Sequence, residues 1–81
     1  MKTYTSSGMK SVSAETMKEA GAIFAARLAR REFGARGEAR TCTIGAYSQD
    51  GTLGEFSAFI GLTKGHETTG RNVSFTVRAN E

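Results

Sequence analysis

The chain has no proline, and cysteine and histidine occur once each among its 81 residues. No proline-rich tract, repeat or low-complexity segment marks a linker, and a chain this length fits one domain rather than two. A lone cysteine cannot close an internal disulfide, which points to a reducing cytoplasm. One cysteine and one histidine also fall short of the three or four ligands a zinc site needs. No run of about 18 apolar residues is present, so no membrane span is expected, and the opening MKTYTSSGMKSV lacks the apolar stretch of a secretory signal. Large apolar side chains are scarce as well. Hydrophobic residues make up 38% of the chain, but eleven of them are alanine. A domain this small buries only about 60–65% of the surface its unfolded form exposes. Its stability is therefore modest, and a deep substrate cavity is not expected.

What is present is unevenly placed. Residues 27–40 hold Arg27, Arg30, Arg31, Arg36 and Arg40 against Glu32 and Glu38, and the rest of the chain balances to zero, so the whole net charge of +3 sits in this stretch. Such a patch attracts nucleic acid or an acidic protein surface. Cations near a helix C-terminus are also favoured by the macrodipole alone.

The spacing predicts a helix over Ala14–Phe33. Ser13 suits the N-cap, with Val12 and Met17 as a hydrophobic staple, and Gly34 serves as terminator. At 100° per residue Met17, Ala20, Phe24 and Leu28 form one stripe flanked by Gly21 and Ala25. Arg27, Arg30 and Arg31 fall on one flank with Ile23, continuing through Arg36 to Arg40. Three strands follow. Arg40–Tyr47 puts Cys42, Ile44 and Ala46 on one side and Thr41, Thr43 and Tyr47 on the other. Leu53–Leu62 puts Phe56, Ala58, Ile60 and Leu62 opposite Glu55, Ser57 and Phe59. Asn72–Arg78 sets Val73, Phe75 and Val77 against Ser74, Thr76 and Arg78. Ser48–Gly51 reads as a turn with the Asp-Gly signature, and Thr63–Arg71 as a polar loop. Lys2–Thr5 is a fourth strand, and Met9–Val12 its extended continuation.

The expected fold is thus α+β, a two-layer sandwich of one long helix on a mainly antiparallel four-stranded sheet in the order β-α-β-β-β. One sheet face stays open, carrying Thr41, Thr43, Tyr47, Ser57, Phe59, Ser74, Thr76 and Arg78. On it Tyr47 and Phe59 serve as a protein-contact spot, a self-association patch, or ordinary cross-strand packing.

Catalytic groups are few. Cys42 lies mid-strand on the apolar side as a small hydrophobe, and His66 lies in the polar loop. Nothing in their spacing makes a Cys–His pair. Asp50 belongs to its turn, and the scattered glutamates supply no acid–base pair. Gly65–Gly70 differs from a phosphate loop, because Lys64 precedes it and a strand follows. Lys64, His66 and Arg71 could still contact a partner from that segment. The expectation is a non-enzymatic protein without cofactor or metal.

In whole-chain character the sequence resembles the type I anti-CRISPR proteins encoded by phages and prophages, inhibitors of the type I-C system most of all. The resemblance lies in the KTYTSSG opening, the AETMKEAGAIFAARLARREFG helix and the hairpin-rich half ending NVSFTVRANE. It implies a protein acting in the cytoplasm of a host bacterial cell. There it would bind subunits of a CRISPR surveillance complex and block target DNA binding or nuclease recruitment, with no catalytic residue to carry over. The chain departs from the acidic DNA mimics among such inhibitors, being basic. Partner contacts would come from Arg27, Arg30, Arg31, Arg36, Arg40, Lys64, Arg71 and Arg78, with Tyr47 and Phe59 as apolar anchors. Alternatives are a small basic nucleic-acid-binding or regulatory domain, and a phage structural or assembly protein that self-associates.

Overall fold

Alternating apolar residues along the C-terminal half build one long hairpin, and this hairpin organises the rest. In the computed structural model, which describes residues 1–80, β4 (Leu53–Lys64) and β5 (Glu67–Asn80) pair without interruption from Leu53↔Arg78 to Lys64↔Glu67. The remaining elements are β1 (Lys2–Ser6), β2 (Val12–Ala14), α1 (Met17–Phe33) and β3 (Glu38–Tyr47). All strands are antiparallel in one sheet of order β2-β1-β5-β4-β3, and α1 lies on one face. The α+β class with one helix on an antiparallel sheet is as expected, but the sheet has five strands and the order is β-β-α-β-β-β. No described helix is long and apolar enough to cross a membrane.

The extra strand displaces the expected helix start. Val12, Ser13 and Ala14 pair with Tyr4, Thr3 and Lys2, so Ser13 is strand rather than N-cap, and Met9–Val12 does not continue β1. Thr16 caps the helix instead, its hydroxyl accepting from the Glu19 N–H at 3.2 Å, while Glu19 accepts from the Glu15 N–H. This is close to a capping box. At the other end Gly34, at φ 82°, donates its N–H to the Arg30 carbonyl and ends the helix as anticipated.

The core lies between α1 and the hairpin. Tyr4, Val12, Ala14, Met17, Ala20, Phe24, Phe56 and Val77 form one buried cluster. Phe56 stacks on its cross-strand neighbour Phe75 with ring centroids 5.6 Å apart. The buried stripe of α1 drifts along its length, from Met17 and Ala20 through Phe24 to Ala25 and Ala29, and leaves Leu28 half-buried.

Two expected features of the strands change. The Thr63–Arg71 loop is strand on both sides of a two-residue turn, Gly65-His66, with Gly65 at φ 64°, as suits a tight hairpin turn with glycine first. β3 carries two register shifts, between Ala39 and Thr41 and between Ile44 and Ala46. Beyond the second shift Ala46 pairs with Glu55 and Tyr47 with Gly54. Gly54 shares its face with Val77, so Ala46 joins the open face and Tyr47 leaves it.

The Asp-Gly turn is held as its residues suggest. Asp50 accepts from the Ser48 and Thr52 hydroxyls, each at 2.7 Å, and from the Thr52 N–H at 3.1 Å. The Ser48 bond, then those from Thr52, hold its carboxyl down at about 2 from an ordinary 3.8. A lowered folded-state pKa means that Asp50 supports the fold fully above 3.8, and that this support is lost as pH falls through about 2. Replacing Asp50 with Asn should flatten the acid limb of a stability–pH curve in that window. An unchanged limb would show the turn bonds to be energetically idle.

At the helix–sheet contact, a Cβ on Gly21 would run into Cε2 of the Phe56 ring. Gly21→Ala should therefore lower stability in urea unfolding. Overpacking costs about 1–3 kcal/mol, which outweighs the ~1 kcal/mol gain in helix propensity. A stabilised variant would mean that the helix rides higher than described.

Candidate interaction surface

The helix geometry divides the arginine-rich stretch. Arg27 and Arg31 lie toward the β1–β2 connection: Arg27 donates to the Lys10 carbonyl at 2.9 Å, and Arg31 reaches Gly8. The Arg27 guanidinium also lies 6.0 Å from the centre of the Phe24 ring. Arg30 turns to the opposite side, where it lines a shallow depression of about 360 Å³ with Ala35, Arg36, Gly37, Glu38 and Thr63. Arg40, at the first register shift of β3, donates to the Thr63 hydroxyl. The single flank expected from the helical wheel is therefore two groups. Arg30, Arg36 and Arg40 gather around Thr63, and Arg27 and Arg31 stand on the other side of α1.

The cations also differ in how far they are engaged. Arg71 is bound to Glu32 across from α1, its Nε donating to both carboxylate oxygens at 2.7 and 3.0 Å. Arg27 and Arg40 are held by the hydrogen bonds above. Arg30, Arg31 and Arg36 are exposed and make no ion pair or side-chain hydrogen bond among the described residues. Arg78 lies on the open face opposite Thr5 and Leu53. Lys64 sits at the tip of the β4–β5 hairpin as the last residue of β4, two residues before His66. The expected partner-binding residues thus do not form one site. Three of them converge at Thr63, and Arg31 and Arg71 line a separate groove beside β5.

That groove was not signalled by any motif. It encloses about 740 Å³ between Leu28, Arg31 and Glu32 of α1, the Ser6–Met9 segment and the β5 residues Arg71–Thr76. Its floor holds the half-buried Val73 and Phe75. The one sequence signal for it was the strict alternation of β5, which continues past the point where β1 stops pairing.

The two aromatics have different surroundings. Tyr47 is 60% exposed on the helix side of the sheet, beyond the helix. Phe59 is half-buried on the open face, where a Cβ on Gly70 would come within 2.9 Å of its ring. Gly70 pairs with Gly61, and the ring lies over Gly70, as aromatics do for glycines in sheets. Cross-strand packing accounts for Phe59. Nothing within the fold accounts for Tyr47.

Cys42 and His66 do not meet. Cys42 is opposite Ala58, six strand residues from Lys64, so His66 lies roughly 20 Å further along the hairpin. Partial burial pushes the Cys42 thiol up from its ordinary 9.0. Among the described residues, no three His, Cys, Asp or Glu side chains are grouped to hold a metal ion.

The contrast between the aromatics is measurable. Phe59→Ala should reduce the unfolding free energy by about 1 kcal/mol, the value of half-burying such a ring, whereas Tyr47→Ala should stay within about 0.5 kcal/mol. Equal effects in chemical denaturation would remove the structural role of Phe59. No protein-family model, curated protein or solved structure matches the chain.

Proposed function

We propose that the chain is a non-catalytic binding protein that docks the arginine shoulder around Thr63 onto an acidic protein surface. Following the sequence resemblance to type I anti-CRISPR proteins, that surface belongs to a subunit of a type I CRISPR surveillance complex. Its occupation blocks target DNA binding or nuclease recruitment in the cytoplasm of the bacterial host. The observation that carries the docking step is the state of Arg30 and Arg36. Both are exposed and make no ion pair among the described residues, and they line one depression beside Arg40. Guanidinium groups in this state keep their planar donor sets for an external carboxylate. Tyr47, exposed and unused by the fold, is the apolar residue available for a second contact.

Phosphate would satisfy the same arginines, so nucleic acid is the secondary partner. The double variant Arg30→Glu/Arg36→Glu leaves every hydrogen bond of the fold in place. It should weaken binding to the surveillance complex by about 2 kcal/mol or more, roughly thirtyfold, and restore interference against phage in a plaquing assay. Undiminished inhibition would remove this patch from the account. Tight binding of the wild-type chain to free DNA, falling steeply with salt, would favour phosphate as the ligand.

A further inference from the structure

The two outer strands of the sheet and part of β5 leave strand edge without a neighbour, and these edges are not equally protected. β2 ends the sheet on one side and is three residues long. β3 ends it on the other and is broken by two register shifts. Shortness and bulges are both known guards against edge-to-edge pairing. The third stretch is internal. β5 pairs with β4 along its length but with β1 only from Val77 to Asn80, which leaves Glu67–Thr76 open on one side. This stretch has no register shift, no lysine and no proline. One of its two charges, Arg71, is neutralised by Glu32.

The direction of its backbone groups follows from one bond. The Ala79 N–H donates to the Thr52 carbonyl, on the β4 side. Odd-numbered β5 residues therefore face β4, and Thr68, Gly70, Asn72, Ser74 and Thr76 face away. The Thr76 carbonyl is taken by the Ser6 hydroxyl at 2.8 Å. The N–H and C=O groups of Asn72 and Ser74 point past β5 at the groove, where no strand meets them.

We propose that this edge pairs antiparallel with the same edge of a second copy about a two-fold axis, joining two sheets into one. Setting Asn72 opposite Asn72 places Gly70 opposite Ser74 and uses the outward groups short of Thr76, whose carbonyl Ser6 already takes. It matches outward-facing residues with outward-facing residues in both copies, as an isologous contact requires. The helices favour a second copy over an isolated extended peptide. Met17 lies against Gly54 and Gly21 against Phe56, and α1 also packs on β3, so α1 sits over β4 and β3. Two such helices would be at least three strand spacings apart, about 14 Å or more. Helices about 10 Å thick then leave a gap that the Leu28, Val73 and Phe75 side chains of both copies can fill. A lone peptide would supply a strand but no second wall for the groove.

The test is the mass of the full chain in solution, by light scattering across a concentration series, with amide hydrogen exchange as a second readout. The wild-type chain should approach twice 8.6 kDa as concentration rises, with the Asn72 and Ser74 amides gaining protection in step. Ser74→Pro removes an outward N–H without touching the β4 ladder. It should keep the wild-type circular dichroism and lose the dimer. Asn72→Lys sets like charges face to face across the axis and should also lose it, which covers the case in which the proline variant does not fold. A wild-type chain that stays at 8.6 kDa throughout, or a dimer that survives both substitutions, overturns the proposal.

Discussion

The close approach of α1 to β4 is the constraint on which the rest depends. Gly21 rests on the Phe56 ring and Met17 Sδ rests on Gly54, so the helix touches the sheet where two side chains are missing. A helix this close to one strand buries that strand fully and its neighbours only in part. Phe56, Ala58 and Ile60 of β4 are buried, whereas Cys42 and Ile44 on β3 and Val73 and Phe75 on β5 are half-buried. The groove beside β5 is the direct consequence. Few large apolar residues were available, and they were concentrated in one seam, where each is worth about 1.5–3 kcal/mol when fully buried. The sheet flanks were left thinly covered.

Much of this was legible in the residues. The helix, its terminator at Gly34, the alternation of β4 and β5, and the tying of Asp50 into its turn follow from local chemistry, which sequence exposes. The errors came from pairing partners, which it does not. Ser13 looks like an N-cap until Thr3 is known to lie opposite it. The Thr16-x-x-Glu19 pattern that does cap the helix was present in the chain and is the signal that should have won. Tyr47 changes face because Gly45 lies between two registers of the β3–β4 ladder. One inserted residue reverses every side chain after it. The polar stretch Thr63–Arg71 reads as loop because it lacks apolar residues, yet backbone pairing carries it as strand.

The charge block shows the same limit. Five arginines within fourteen residues look like one patch, but a helix rotates 100° per residue. Arg27 and Arg31, four apart, lie about 40° from each other, whereas Arg30 lies about 100° from Arg31 and lines the depression with Thr63. The chain after Gly34 then brings Arg36 and Arg40 back to Arg30 around Thr63. The sequence block therefore serves two surfaces. Arg27 helps fix the β1–β2 connection, while Arg30 and Arg36 beside Thr63 stay exposed.

The projecting hairpin follows from arithmetic on lengths. Seventeen helical residues span about 25 Å, while the twelve residues of β4 span about 40 Å, and the molecule is 43 Å along its longest axis. Roughly the last third of the hairpin thus extends beyond anything that could cover it. Side chains there meet water on both faces, which explains why Thr63, Thr68, Thr69 and Gly70 replace the alternation seen nearer the helix. With no core to lean on, this end is held by its ladder, its tight turn, the Arg40–Thr63 hydrogen bond and the Phe59 ring over Gly70. Segments of that kind open at lower free energy than the core. Arg71 and Glu32 mark where the helix-covered part stops, because their ion pair is the last side-chain tie between helix and hairpin, and beyond it Arg40 of β3 still reaches Thr63.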